Sequence, residues 1–194
     1  MSNKSKNIFL RVCCHIIFII YLIFLIKIIL FKYIGLTKTV NKLIAGELSS
    51  GFRSFNIISF QSIWEFTKLM FSGYFSRGFN NTVGNSFVFA PFGYFVPLLY
   101  KNCRKLKTVV LAGFFVSLFF EICQYVLYLG STDIDDIILN VLGVTIGFLF
   151  FKGMIAITDK RETQRYVVTI ILSIIGFIVA GYLAVDYFSI MFRI

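Results

Sequence analysis

Four segments of this chain stay apolar over lengths that suit the interior of a bilayer: 8–31, 108–129, 136–151 and 166–188. A helix needs about 20 predominantly apolar residues to cross the hydrocarbon. A fifth segment, 83–100, is short for a span and contains both prolines of the chain, Pro91 and Pro97. Because a helical proline frees a carbonyl that must then face protein or water, we expect a broken or kinked second span inside the bundle. The sequence predicts an all-α integral membrane bundle of about five spans.

The composition of the chain also indicates a membrane protein and excludes a basic, soluble nucleic-acid-binding domain. The chain of 194 residues is 58% hydrophobic and 19% aromatic, and its mean hydropathy is +0.86, as in integral membrane proteins. Its net charge of +10 could suggest nucleic acid, but a basic soluble domain would not carry so much apolar sequence, so we expect no nucleic-acid partner. The basic residues are interpreted as topology signals and contacts to the lipid bilayer. The four cysteines lack metal or redox spacing, so we expect no disulfide framework.

We expect a single polytopic membrane domain over residues 1–194. The span at 8–31 is interpreted as a signal anchor, because no small-residue cleavage site follows a short apolar core. The span at 166–188 is an additional one and carries a stripe of small residues, including Gly176, that suits close helix contact. The segment 55–71 mixes Ile and Phe with polar residues, so we expect it to lie on the membrane surface or dip partly into it.

The basic loops set the expected orientation. Lys and Arg are concentrated at 101–107 and 152–165, and short loops rich in these residues lie in the cytoplasm. The amino terminus is then cytoplasmic and the carboxy terminus is outside. The acidic turn at 130–135 is also outside, which places the polar residues near it in the outer leaflet.

Two helical faces are polar or small while the rest of each helix is apolar. On a helix over Thr108–Leu129, the 3.6-residue period groups Gly113, Ser117, Glu121, Gln124 and Tyr128. On the next helix it groups Asp133, Asp136, Asn140, Gly143 and Gly147. In a bilayer this pattern predicts two polar seams turned toward each other. Residues interpreted as structural are Pro91, Gly93, Pro97, Gly143 and Gly147.

These seams, with one residue of the second span, form a predicted binding site that we name the outward polar cluster. Its members are Asn85, Glu121, Gln124, Asp133, Asp136 and Asn140. An aspartate within a span costs about 2.5 to 3.5 kcal/mol on insertion scales, so Glu121 is expected to face the bundle. Two interpretations stay open. Glu121 is a protonated or amide-paired residue bonding Gln124 or Asn140, or it belongs to a site that holds a cation, or a cationic or amide-bearing group, opposite Asp133 and Asp136.

The acidic turn has a structural interpretation of its own. Thr132 followed three residues later by Asp135 fits a capping box, with carboxylates at the positive end of the helix. Three carboxylates in one turn repel each other, so a cation or a basic partner is expected there. Arg53 and Arg77 are the candidate charge partners, and a divalent cation is the candidate cofactor, because clustered carboxylates and amide oxygens suit hard cations.

The order of these motifs resembles a known family. The chain carries Gly84-Asn85, Ala90-Pro91-Phe92-Gly93 with Pro97, Glu121-x-x-Gln124, Asp133-Ile134-Asp135-Asp136, Asn140 and Gly143. This combination closely resembles the VanZ-like family of bacterial membrane proteins, over roughly residues 53–150. An upstream segment that begins at Arg53 also looks like the family's, with Ser59 in place of a proline. Gly130 stands where the family commonly has an arginine, so the charge balance of the acidic turn either differs here or is met by Arg53 or Arg77.

The resemblance implies a bacterial plasma-membrane protein of a family in which one member lowers susceptibility to the glycopeptide teicoplanin. It implies no settled biochemical mechanism. Together with the outward polar cluster it favours a non-catalytic role, with a lipid-linked cell-wall precursor or a glycopeptide as the candidate partner, and no catalytic residue is predicted. One alternative is a metal-dependent membrane enzyme acting on a phosphorylated lipid, with Glu121, Asp133 and Asp136 holding the ion. Another is a small transporter, although the chain shows no inverted repeat. The oligomeric state stays open.

Overall fold

A computed structural model describes the backbone of residues 3–30, 41, 44–45, 53–56, 78–158 and 161–191, and the side chains of residues 4–30, 41, 44–45, 88–129, 134–158 and 161–178. Most of this part of the chain lies in five helices: α1 (Asn3–Leu30), α2 (Gly78–Leu99), α3 (Leu106–Val126), α4 (Ile134–Ile157) and α5 (Glu162–Met191). A short 3-10 turn, Lys101–Cys103, connects α2 to α3. The all-α fold class is confirmed.

One short pair of strands adds to the helices. Strand β1 (Arg53–Asn56) pairs in parallel with β2 (Gly130–Asp133), with Arg53 opposite Gly130 and Asn56 opposite Asp133. Parallel strands need a long crossover, and here it includes α2 and α3. The sequence did not predict this pairing. It ties the acidic turn to the start of the segment 55–71, whose remaining residues, 57–71, lie outside the described residues together with Arg77.

Three helices of the described part of the chain are long and apolar enough to cross a membrane: Lys4–Leu30, Leu106–Val126 and Ile134–Ile157. Within α2, the segment Val88–Leu99 is a shorter apolar helix. Helix α5 runs for 30 residues, but its side chains after Ile178 lie outside the described residues, so the span at 166–188 stays a prediction. At Gly176 a Cβ atom would meet nothing within 4 Å, so among the described residues no helix makes the close contact expected there.

Helix α2 is continuous through both of its prolines, Pro91 and Pro97, so the second span is not broken. The last carbonyls of a helix have no partner within it, and the side chain of Arg104 satisfies one of them. Its Nε donates to the Pro97 carbonyl at 3.3 Å, while its guanidinium carbon lies 5.9 Å from the centre of the Phe151 ring. A cation is favourable at this negative end of the helix dipole.

Helices α2 and α4 touch through their backbones. A Cβ at Gly93 would lie 2.0 Å from the Val144 carbonyl oxygen, and one at Gly147 would lie 1.9 Å from the Ala90 carbonyl oxygen. Real Cβ atoms essentially never come this close, so both positions require glycine. On α3, a Cβ at Gly113 would lie 2.5 Å from Cγ2 of Val144. The small residues thus let three helices meet around Val144.

The chain separates into two compact units, one of residues 1–19 with 153–194 and one of residues 20–152. In the first unit, the Thr163 hydroxyl donates to the side-chain oxygen of Asn7, and the Cys14 thiol lies 4.0 Å from the Tyr166 carbonyl. These contacts join α1 to α5. The second unit contains the polar residues of α3 and α4.

Candidate functional site

Four helices of the unit 20–152 bring side chains to one polar cavity. Its wall consists of Ile28 and Ile29 from α1, Val88 from α2, Glu121 and Gln124 from α3, and Asp136 and Asn140 from α4. The space open to a water molecule is about 10 Å³. A cavity of this size holds about one water molecule or one ion.

Helix α3 supplies its polar face to this cavity. Its buried residues include Gly113, Ser117, Glu121 and Gln124, and only 3% of Glu121 is exposed. Glu121 therefore faces the bundle, as its insertion cost requires. The helix ends at Val126, three residues before the predicted boundary. Tyr128, predicted to lie on the same face, instead follows the helix with a φ of 54°.

The end of α3 explains this difference. The Leu129 N–H bonds the Gln124 carbonyl at 3.0 Å, which closes a helix terminus of the Schellman type around the left-handed residue Tyr128. Such a terminus is ordinarily built on glycine, and the sequence here has no glycine until Gly130. Helical periodicity alone gave no signal for the early stop.

Helix α4 begins at Ile134, which puts Asp133 at the N-cap position and corrects the capping box predicted from Thr132 and Asp135. Asp136 is half-buried in the cavity wall, and 4% of Asn140 is exposed. Asp135, assigned only a capping role from the sequence, is 1% exposed. Its burial is a feature that sequence reasoning missed, since it does not share the face of Asn140.

Two amide side chains tie the wall of the cavity together. Nδ2 of Asn140 donates to the Ser117 hydroxyl at 2.9 Å, joining α4 to α3 within the interior. Nε2 of Gln124 donates to the Ile29 carbonyl at 3.0 Å, joining α3 to α1. Ile29 lies in the last turn of α1, where carbonyls have no donor within the helix. The contribution of α1 had no signal in the sequence, because a backbone carbonyl carries no residue identity.

A third hydrogen bond holds α1 against α2 beside the cavity. The Tyr21 hydroxyl donates to the carbonyl of Val88 at 2.8 Å, and Val88 is the α2 residue of the cavity wall. Polar side chains within a bilayer commonly bond a neighbouring helix in this way. The cavity is therefore bounded by helices that are bonded to one another at several points.

The side-chain oxygen of Gln124, Oε1, takes part in none of these hydrogen bonds. Because the Ile29 carbonyl only accepts, the amide atom facing it must be Nε2. Oε1 is buried, and within the described residues it has no hydrogen-bond partner. Only 2% of Gln124 is exposed. A buried acceptor without a donor is costly and rare in native proteins.

The structure brings together four members of the predicted outward polar cluster: Glu121, Gln124, Asp136 and Asn140. The backbones of Asn85 and Asp133 are placed in α2 and β2, but their side chains lie outside the described residues. The same holds for the side chain of Arg53 in β1. The cavity-lining residues Ile28, Ile29 and Val88 were not predicted.

The polar residues of the cavity wall are two carboxylates and two amides, and each of them carries oxygen atoms that can act as ligands. Among the described residues, no three His, Cys, Asp or Glu side chains are grouped to hold a metal, so a metal ion here would also need amide oxygens. The Ser117 hydroxyl is buried and accepts a hydrogen bond from Asn140. The wall is therefore suited to binding a small polar or cationic species.

Comparison with known proteins places this cavity in a family. The family described as VanZ/LLP1 matches residues 18–157, which include every residue of the cavity wall. Protein VanZ of Enterococcus faecium is 32% identical over 87 residues, which are 45% of this chain and 51% of that protein. The chain thus spans about half the length of this curated relative. No solved structure matches significantly. Because the family match covers most of the chain and three helices suit a bilayer, this is a membrane protein that belongs to the VanZ/LLP1 family.

Proposed function

We propose that this protein lowers the susceptibility of a bacterium to glycopeptide antibiotics of the teicoplanin type, without catalysing a reaction. It acts at the outer face of the plasma membrane by restricting access to lipid-linked cell-wall precursors. The observation that carries the proposal is the polar cavity, since four polar residues of three motifs meet there within the family-matched region. The resemblance noted in the sequence supplies the class of antibiotic.

The distribution of charge along α3 and α4 supports the outward orientation. Glu121 and Gln124 lie in the last two turns of α3, and Asp136 and Asn140 lie in the first two turns of α4. The opposite ends of these helices adjoin the basic loops at 101–107 and 152–165. Since short basic loops lie in the cytoplasm, the cavity end faces outward, with the amino terminus cytoplasmic and the carboxy terminus outside.

The size and chemistry of the cavity favour a non-catalytic role. Space for about one water molecule cannot enclose the headgroup of a cell-wall precursor or an antibiotic. The hydroxyl of Ser117 is buried and bonded to Asn140, so it is not presented to an external substrate. We infer that the cavity sets the arrangement of the outward helix ends and that precursors meet the surface above it.

Expression in a susceptible Gram-positive host tests the proposal. The wild-type chain should raise the inhibitory concentration of teicoplanin, and Glu121→Gln and Asp136→Asn should abolish the rise, with membrane levels checked by immunoblot. Glu162→Gln makes the same chemical change in the first turn of α5 and should keep the rise. An unchanged inhibitory concentration at confirmed membrane expression of the wild type would refute the proposed function.

A further inference from the structure

The polar cavity concentrates negative charge and hydrogen-bond acceptors. Glu121 and Asp136 bring carboxylates from two helices. Ile28 and Ile29 belong to the last turn of α1, where terminal carbonyls and the negative end of the helix dipole point outward from the helix. These components supply oxygen atoms that suit a cation as ligands.

An independent observation comes from Gln124. Its Nε2 is bonded to the Ile29 carbonyl on the cavity wall, and its buried Oε1 has no partner among the described residues. The occupant of the cavity is therefore in a position to meet an amide oxygen that otherwise has no donor. A metal cation satisfies such an oxygen as well as a donor does, and amide carbonyls are ordinary ligands of hard cations.

The size of the cavity favours some cations over others. With space for about one water molecule, the cavity admits an ion that has shed its water shell. Mg²⁺ dehydrates reluctantly and usually keeps several waters, whereas Ca²⁺ accepts six to eight oxygens directly in irregular geometry. Each carboxylate has about four lone-pair sites, so other contacts of Glu121 and Asp136 are compatible with an ion between them.

We propose that the polar cavity binds one dehydrated calcium-type cation, with oxygen atoms of Glu121, Asp136 and Gln124 as ligands. The proposal deepens the proposed function, because it names the occupant of the same cavity. The ion joins α3 to α4 at their outward ends. Binding stabilises the folded state in proportion to the logarithm of the ratio of ion concentration to Kd.

Direct binding to the purified full chain tests the proposal. After treatment with a chelator, the protein in detergent is titrated with CaCl₂, MgCl₂ and NaCl at constant ionic strength, and its Tm and binding stoichiometry are measured. We expect Ca²⁺ to raise the Tm saturably at one ion per chain, with a clearly weaker response to Mg²⁺ and Na⁺. No response, or an equal response to all three salts, would overturn the proposal.

Variants locate the ion. Gln124→Leu, a change of similar volume, should weaken Ca²⁺ binding at least about tenfold, since even outer-shell partners of a metal produce changes of that size. Gln164→Leu makes the same change at an exposed position of α5 and should leave the Kd unchanged. If Gln124→Leu does not fold, Asp136→Asn at its half-buried position gives the same test. Unaltered Kd in a folded cavity variant would overturn the assignment.

The two proposals fail separately. Teicoplanin resistance without any Ca²⁺ binding would remove the ion and leave the proposed function standing. Ca²⁺ binding in a chain that confers no resistance would keep the ion site and remove the proposed function.

Discussion

Helix α4 meets its neighbours in two different ways along its length. In its first two turns, Asp136 and Asn140 border a polar cavity. Further along the helix, Val144 and Gly147 lie against the backbone of α2 so closely that not even a methyl group fits. The first region has room for a water molecule and is bordered by polar side chains, whereas in the second the two backbones are in direct contact.

The difference reflects what holds helices together in lipid. Lipid tails are as apolar as leucine, so helices associate through close packing and hydrogen bonds rather than by hydrophobic burial. The glycine contact of α4 with α2 provides that packing. It fixes the rotation and depth of α4, and this in turn holds Asp136 and Asn140 against the polar face of α3. We therefore expect stability to depend on the glycine contact and binding to depend on the cavity.

The largest effect is expected at the glycine contact. Gly147→Ala places a Cβ 1.9 Å from a carbonyl oxygen, so α2 and α4 must move apart, at a cost near the upper end of overpacking effects, about 3 kcal/mol. Gly93→Ala should behave alike. The measurement is the temperature at which the detergent-solubilised chain loses its monodisperse peak in fluorescence-detected size-exclusion chromatography.

Two other glycines provide matched controls for that prediction. A Cβ at Gly153 or at Gly176 would meet nothing within 4 Å, and alanine is favoured over glycine in a helix by about 1 kcal/mol. Gly153→Ala and Gly176→Ala should thus leave the chromatographic midpoint unchanged or raise it. An equal decrease of the midpoint in all four variants would show that the contact of α2 with α4 does not cause the loss of stability at Gly93 and Gly147.

A smaller effect is expected from the buried bond between Asn140 and Ser117. Asn140→Ala leaves the Ser117 hydroxyl without this donor, so we expect a loss of about 1 to 2 kcal/mol. A double-mutant cycle with Ser117→Ala isolates the pairwise term, which averages about 0.6 kcal/mol for hydrogen bonds between membrane helices. Unfolding in mixed micelles with increasing SDS measures both. A coupling energy of zero would mean that the bond contributes no stability.

The bond from Tyr21 to the carbonyl of Val88 lies at the border of the two regions. Tyr21→Phe removes only the hydroxyl, so the expected loss of stability is about 0.6 kcal/mol. The same SDS titration measures it. A loss as large as that of Gly147→Ala would contradict the division between packing and cavity.

The smallest effect on stability is expected inside the cavity, at Gln124. Gln124→Leu removes the bond to Ile29, worth about 1 kcal/mol, but also removes a buried acceptor whose desolvation costs about 1 to 3 kcal/mol. Without added cation, the net change should be close to zero, while teicoplanin resistance is lost. Comparing the inhibitory concentration with the SDS midpoint of the same variant sharpens the distinction. If the variant loses both resistance and stability, the role of Gln124 is in packing rather than in binding.

Local patterns were sufficient to predict part of the site. The 3.6-residue period predicted the buried positions Ser117, Glu121 and Gln124 on α3, and the cost of an acid in lipid predicted that Glu121 faces inward. The predicted end of α3 was three residues too late, because the helix is terminated at Tyr128, a left-handed residue that is not glycine. The burial of Asp135 was missed, because its side chain does not share the face of Asn140.

The sequence by itself determined the membrane class and the inward faces of α3 and α4, because hydropathy and helical period are properties of neighbouring residues. Only the tertiary structure decided that Asn140 bonds Ser117 and that Gln124 bonds the carbonyl of Ile29. Such pairs depend on how far each helix is rotated and how deep it lies. These quantities are set by backbone contacts at Gly93 and Gly147, between segments far apart in the chain.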